Sequence, residues 1–302
     1  MKLVYSSPPA GNPADSRISS EGVLVGNENV FAALKKGIES VLFYDAEKKS
    51  NLMNGYGFPK TYLIKGEPGC GKTTAIKEAV RYGRELSSKA GRNLAVKNIG
   101  NKFKSEYYSK SAQELRKIFS AFYSGRNACI GIIEDIDTIF AKRSGIINNE
   151  DASNLGEMLN LLEGVETVNL GNYIIISTTN TFLEPALEQR LSECVLEAKG
   201  PETPEHYKRL VKISFKGLEK FVDSETLGEI LFSKKFSGRD VKNICKTISQ
   251  QIMNMEITPE IYSLDSARQK LLLEKSFRNV SESDAVMIID GYEKMKPHEY
   301  RL

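Results

Sequence analysis

Tyr62-Leu63-Ile64-Lys65-Gly66-Glu67-Pro68-Gly69-Cys70-Gly71-Lys72-Thr73 is the stretch on which the fold turns. Its first three residues are an apolar run of strand length, and residues 75–86 read as a helix, so the order is strand, glycine loop, helix. Between them, residues 66–73 match G-x-x-x-x-G-K-[ST] without a gap. Glycine is needed because backbone N–H groups can curl round a phosphate only where no Cβ intervenes, and the following helix N-terminus then faces the anion. The pattern predicts a site for ATP formed by Glu67, Pro68, Gly69, Cys70, Gly71, Lys72, Thr73 and Thr74. Lys72 would reach the β and γ phosphates, and the Thr73 hydroxyl would ligate Mg²⁺. The plainer alternative, a glycine turn before a helix, does not call for the lysine and hydroxyl that complete the match.

Outward from this loop the chain alternates. Apolar runs at 94–99, 129–133 and 173–177 have strand length, and helical patterns at 112–122 and 154–162 separate them. Such alternation predicts an α/β fold with a parallel sheet flanked by helices. Upstream, Val30, Leu34, Ile38, Val41 and Leu42 recur at helical spacing across 29–43. Residues 1–20, with S-S-P-P-A-G-N-P, favour neither helix nor strand and are expected to be a flexible tail. After Gly200 the run P-E-T-P-E breaks the chain, and charged helical patterns continue to the end. The expected organisation is a tail at 1–20, an α/β domain at 21–200 and a smaller α-helical lid at 201–302.

Bulk properties exclude several classes. Forty-two basic against 39 acidic side chains leave a net charge of +3, too small for a global electrostatic case for nucleic acid or membrane. Cys70, Cys129, Cys194 and Cys245 are dispersed and form no C-x-x-C pair, and His206 and His298 are the only histidines. Chemistry therefore falls to carboxylates, lysine and arginine. With no 18-residue apolar run and no secretion-type leader, no membrane span is expected and the predicted location is cytoplasmic.

Two later elements complete the expected site. Residues 130–137, I-G-I-I-E-D-I-D, form a buried strand ending in adjacent acids. Glu134 would hold Mg²⁺ through water, and Asp135 would accept or orient the proton of the attacking water. Acidic residues also simply end strands, and the position downstream of a complete glycine loop favours the catalytic reading. The run 173–177 leads into Thr178-Thr179-Asn180, where a carboxamide could bond both the γ phosphate and the lytic water. An asparagine after a strand is otherwise a turn residue.

Together these residues resemble the AAA branch of the AAA+ P-loop ATPases, the branch of proteasomal, microtubule-severing and membrane-remodelling ATPases, over roughly residues 21–297. V-L-V-G-N-E-N-V (23–30) is similar to the family segment lining the adenine pocket, which implies contacts from Val25 and Gly26. I-I-E-D-I-D-T-I-F-A-K-R (132–143) resembles I-I-D-E-I-D-x-I-x-x-K-R with the first two acids exchanged, and a similar Glu-Asp order occurs in the AAA translocase of the mitochondrial inner membrane. L-E-P-A-L-E-Q-R-L-S-E-C-V (183–195) is similar to the stretch whose arginines reach the neighbouring subunit's site; here the segment is shorter and Arg190 is its one arginine, a finger in trans or a surface residue. F-S-G-R-D-V-K-N-I-C (236–245) resembles the S-G-x-D turn of the lid, implying that Gly238 approaches adenine and that Arg239 senses the γ phosphate.

The resemblance also implies partners. F-K-S-E-Y-Y-S-K-S-A-Q-E-L-R-K-I-F (103–119) is similar to the segment carrying the first pore loop, so Tyr107 with Tyr108 would grip extended polypeptide; a tyrosine pair before a helix also serves as a packing staple. Residues 144–153 fall where a second pore loop is expected. The implied protein is a homo-oligomer, a hexameric ring that hydrolyses ATP and remodels, unfolds or translocates protein substrates. A nucleic-acid-directed loader, with the basic stretch Lys102 to Lys104 as its support, and an ATP-binding scaffold with slow turnover stand as alternatives.

Overall fold

The computed structural model describes residues 24–100, 108–140, 149–163, 170–254 and 258–295. Helix α1 (Glu28–Leu42) is followed by a small antiparallel hairpin, β1 (Tyr44–Asp45) and β2 (Ser50–Asn51). Strand β3 (Thr61–Lys65) enters the glycine loop, from which α2 (Lys72–Lys89) emerges; β4 (Leu94–Asn98), α3 (Tyr108–Tyr123) and β5 (Ala128–Ile133) follow. Then come the one-turn α4 (Ile136–Ile139), α5 (Asn149–Glu163), β6 (Tyr173–Thr179), α6 (Pro185–Leu191) and β7 (Cys194–Glu197). The five longer strands are all parallel, in the order β4-β5-β6-β3-β7.

Strand periodicity divides the core in two. Tyr62, Ile64, Ile130, Ile132, Ile174 and Ile176 face α1 and α2, while Leu63, Cys129, Ile133, Tyr173 and Ile175 face α3, α5 and α6. Every residue of β5 and β6 is buried, as expected of strands covered on both faces. Gly83 permits α2 to lie close on α1, since a Cβ there would meet Ile38 Cγ2 at 2.8 Å. Bidentate hydrogen bonds from Arg116 to Glu157, 2.6 and 2.8 Å, tie α3 to α5 on the other face.

The expected sheet and its helices are present with shifted ends. Helix α2 starts at Lys72, because residues 72–74 carry no apolar period and yet continue the helical backbone. Helix α5 starts at Asn149, so the last residues of the expected second pore segment are helical, while 144–148 lie outside the described residues. Strand β7 was not legible in the pattern: it has four residues at a sheet edge, with Cys194 and Leu196 half-buried and Val195 and Glu197 exposed.

Beyond Gly200 the chain is helical: α7 (Pro204–Ser214), α8 (Ser224–Ser233), α9 (Gly238–Gln251), α10 (Ser266–Ser276) and α11 (Glu282–Met295). Its caps are local and strong. Thr203, Asp223 and Ser237 accept from first-turn amides, and Ser237 with Asp240 forms a reciprocal capping box. A third core joins Tyr207, Val211, Phe215, Leu231, Phe236, Ile244, Ile248 and Ile289. Val25 belongs to this lid core although it precedes α1, and burying a side chain of that size contributes about 1.5–3 kcal/mol. The leading segment is thereby anchored to the lid. None of the described helices is long and apolar enough to cross a membrane.

Candidate nucleotide site

A parallel sheet delivers the C-terminal ends of its strands to one edge, and ligands of such sheets bind there. In the register of β3, β5 and β6, Lys65 pairs with Thr179 and Ile133 with Ser177, so the glycine loop, the Glu134-Asp135 pair and Asn180 all leave the sheet at the same level. The cavity at this edge has a volume of about 390 Å³, the size of a small-molecule site.

The loop is shaped for an anion. Gly69 and Gly71 have φ of +87° and +101°, which L side chains rarely adopt. Gly71 is also the N-cap of α2 and no side chain caps that helix, so its first amides are left to a ligand. Lys72 is only 6% exposed, and its ammonium donates to Gly66 O at 2.7 Å, Glu67 O at 2.9 Å and Asn180 Oδ1 at 2.7 Å. The same Asn180 donates through Nδ2 to Asp135 Oδ1 at 3.0 Å. One carboxamide thus joins the loop lysine to the acid, because β6 lies between β3 and β5.

Asp135 has φ +48° and ψ +52°, the left-handed region in which aspartate and asparagine are several-fold enriched among non-glycine residues. Its N–H donates to the buried Thr178 hydroxyl at 2.8 Å, which fixes the turn. The exchanged acids therefore put the shorter one where the backbone favours it. Asp135 lines the cavity; Glu134, half-buried at the end of β5, does not.

The lid closes the other wall. Gly238, Arg239, Lys242, Asn243 and Lys246 line the cavity from α9, with Pro201 and Leu210 beside them. A Cβ on Gly69 would meet Arg239 Cβ and Ser237 Oγ at 2.9 Å, so the lid turn rests directly on the loop. Four described cations, Lys72, Arg239, Lys242 and Lys246, face one carboxylate, Asp135, a balance suited to a polyphosphate. The oxygen donors of Thr73 and Asp135 both line the cavity, and a magnesium ion takes one or two carboxylates together with substrate phosphates, so this donor set fits one.

The expected residues are thus brought together in part. Val25, residues 68–74, Asp135, Asn180, Gly238 and Arg239 line one cavity, while Glu67 and Glu134 do not. Gly26 also lies off it: a Cβ there would overlap the Gly200 carbonyl, so its glycine serves the close approach of two backbones. Arg190 is outside this cavity, donating to Ala186 O at 3.1 Å and paired with Glu163 at 3.5 Å. Tyr107 lies outside the described residues, and Tyr108 opens α3. Leu24, Asn27, Pro201, Leu210, Lys242, Asn243 and Lys246 were not foreseen. For three of them a signal existed, since Arg239, Lys242, Asn243 and Lys246 recur at i, i+3, i+4 and i+7, one face of a helix.

Burial pushes the Cys70 thiol up, and the ammonium of Lys72, with Nζ 4.0 Å from Sγ, opposes without reversing it. Cys70 is thereby held as a neutral thiol within the loop.

Comparison with known proteins agrees with this fold. Residues 62–197 match the model of the ATPase family associated with various cellular activities (AAA). Over 208 residues the chain is 29% identical to the cell division cycle protein 48 homolog of Archaeoglobus fulgidus, covering 67% of this chain and 26% of that protein. It is 30% identical over 229 residues to the ATPase family gene 2 protein of Schizosaccharomyces pombe, covering 73% and 26%. Against the 26S proteasome regulatory subunit 10B homolog A of Arabidopsis thaliana it is 28% identical over 194 residues, covering 62% and 45%. The chain thus spans between a quarter and a half of the length of these relatives. Nucleotide binding follows from the matched domain and the complete loop, and residues 62–197 are an AAA-family ATPase domain.

Proposed function

We propose that the chain hydrolyses ATP with Mg²⁺, as a subunit of a homo-oligomeric, hexameric ring, and uses the energy to remodel protein substrates drawn through the central pore. The observation that carries the hydrolytic reading is the continuous hydrogen-bonded line from Lys72 through Asn180 to Asp135, inside a cavity walled by the α2 N-terminus and Arg239. Lys72 and the α2 amides would hold the phosphates, and Thr73 would hold Mg²⁺ directly with Glu134 holding it through water, which leaves the Asp135 carboxylate free. The bound ion would supply charge neutralisation at the transferring phosphoryl group. Asp135 is the base, oriented by Asn180, and takes the proton of the attacking water.

Assembly is supported by the resemblance around Arg190, which lies outside its own subunit's cavity and would have to exchange its bonds to Ala186 O and Glu163 for a neighbour's phosphate. An arginine supplied in trans contributes about 10³–10⁵ to turnover. Protein handling is supported by the resemblance around Tyr107 and Tyr108, and by a relative whose name is that of a proteasome regulatory subunit.

Phosphate release from MgATP tests the core of the proposal. The unaltered chain is expected to turn over, Asp135→Asn to bind nucleotide without release, and Lys72→Ala to lose binding. Release by Asp135→Asn at the unaltered rate would remove Asp135 as the base. Tyr107→Ala should then abolish protein processing and spare basal hydrolysis.

A further inference from the structure

Asn27 takes no part in the chemistry above, yet it is 1% exposed and both ends of its carboxamide are committed to distant segments. Nδ2 donates to the carbonyl of Cys70, in the middle of the glycine loop, at 2.8 Å. Oδ1 accepts from the N–H of Gly200 at 3.2 Å, in the link that joins β7 to the lid helix α7. Space around these bonds is closed. A Cβ on Gly71 would meet Asn27 Nδ2 at 2.9 Å, and one on Gly200 would meet Cys70 O at 3.0 Å. Gly26 and Gly200 have φ of +81° and +83°, so the two backbones cross where only glycine fits both.

The same short segment is tied to both bodies of the protein. Val25 is buried in the lid core, and Val30 in the core between α1, α2 and the sheet. Asn27 stands between them, holding the loop with one atom and the interdomain link with another. Asparagine suits this because one short neutral side chain offers a donor and an acceptor together; an ionised aspartate offers only acceptors.

We propose that Asn27 is a positioning residue that couples the glycine loop to the interdomain link, so that nucleotide on the loop sets the lid and the lid sets nucleotide affinity. The inference rests on the nucleotide reading above. Phosphate bound by the loop amides fixes the Cys70 peptide, and with it, through Asn27, the Gly200 amide. Coupling of this kind is reciprocal: whatever holds the link in place must strengthen binding at the loop by the same factor.

Asn27→Asp separates this role from mere packing, because its effect depends on pH. A buried aspartate has its pKa raised above the usual value of about 3.9, so the protonated form, which can both donate and accept, is recovered on acidification. The measurement is the MgADP dissociation constant of Asn27→Asp relative to the unaltered chain, by fluorescence titration. At about pH 8 the ionised side chain should weaken binding roughly tenfold or more, and at about pH 5.5 the ratio should return to within about threefold of one. Asn27→Ala should be weak at both values. A ratio near one throughout, or a loss independent of pH, overturns the proposal. Should Asn27→Asp fail to fold at the higher pH, hydrogen exchange of the unaltered chain decides. MgADP should slow exchange at the Gly200 amide about tenfold, with no slowing in Lys72→Ala, and unchanged exchange overturns the proposal. If the unaltered chain binds no MgADP, the nucleotide reading falls together with this inference; if it binds and Asn27→Asp is indifferent, the inference falls alone.

Discussion

Asn180→Ala is the sharpest test of the hydrolytic geometry, because that one side chain bonds two charged groups with opposite roles. It accepts from Lys72 at 2.7 Å and donates to Asp135 at 3.0 Å. Lys72 keeps its bonds to Gly66 O and Glu67 O after truncation, so the loop and its affinity for ADP should change by no more than about threefold. Asp135, by contrast, loses the donor that aims its carboxylate and keeps backbone bonds, its N–H donating to the Thr178 hydroxyl and its carbonyl accepting from Thr138. Removing one preorganised donor at a reacting centre lowers kcat by about 10²–10³. At 1.36 kcal/mol per decade, that is about 2.7–4 kcal/mol of activation free energy. Stability should suffer less. Bonds to charged groups contribute about 1.5–3 kcal/mol each when buried, but Asn180 is half-exposed to water that can replace it. A net loss of about 1–2 kcal/mol is expected, a fall in Tm of a few degrees. Phosphate release at saturating MgATP, a titration with ADP and a thermal melt read the three quantities separately. The reasoning fails if kcat stays within threefold of the unaltered chain, or if ADP affinity falls in step with kcat.

Three further outcomes follow from other parts of the structure. Gly26→Ala puts a methyl group into the Gly200 carbonyl at a positive φ, which costs about 1–2 kcal/mol from the backbone conformation alone; a lower Tm together with weaker ADP binding is expected, and a Tm within 1 °C would contradict the close approach. Burial pushes the thiols of Cys129 and Cys245 up to about 11 and about 12, so both are neutral below that range and gain thiolate only as pH rises toward it. A thiol reagent at about pH 8, where a group of pKa 11 is about a thousandth ionised, should modify the half-buried Cys194 first and the others only on unfolding; rapid loss of all four thiols from folded protein would contradict this. Arg190→Ala should bind nucleotide and release no phosphate, and mixing it with Asp135→Asn subunits should restore part of the turnover, because some interfaces then pair an intact base with an intact arginine. Mixtures as inactive as either variant alone would remove the trans role.

The nucleotide loop was legible in the sequence because its chemistry is local: glycines, lysine and hydroxyl at fixed offsets are demanded by one turn of backbone round one phosphate. The strands at 129 and 173 were legible for a related reason, since burial on both faces leaves a mostly apolar run, while β4, half-buried with Lys97 and Asn98 exposed, carried the weaker signal. Strand β7 was not, because an edge strand of four residues buries only alternate side chains and carries no distinctive pattern. Asn180 was nameable as a candidate, but its bonds to Lys72 and Asp135 depend on β6 running between the other two strands.

What the sequence by itself determined about this protein is the phosphate-binding loop, the acids that end β5 and the α/β order of its elements, all of them consequences of neighbours along the chain. Tertiary structure alone decided which acid meets the cavity, that α9 turns Lys242 and Lys246 toward it, and that Asn27 holds the loop and the lid link together. The physical reason is that each of these is a contact between segments far apart in sequence. Such contacts exist only after strand order, twist and close glycine crossings have fixed where each backbone passes, and apart from the one-face spacing along α9 they leave no periodic mark on the residues that make them.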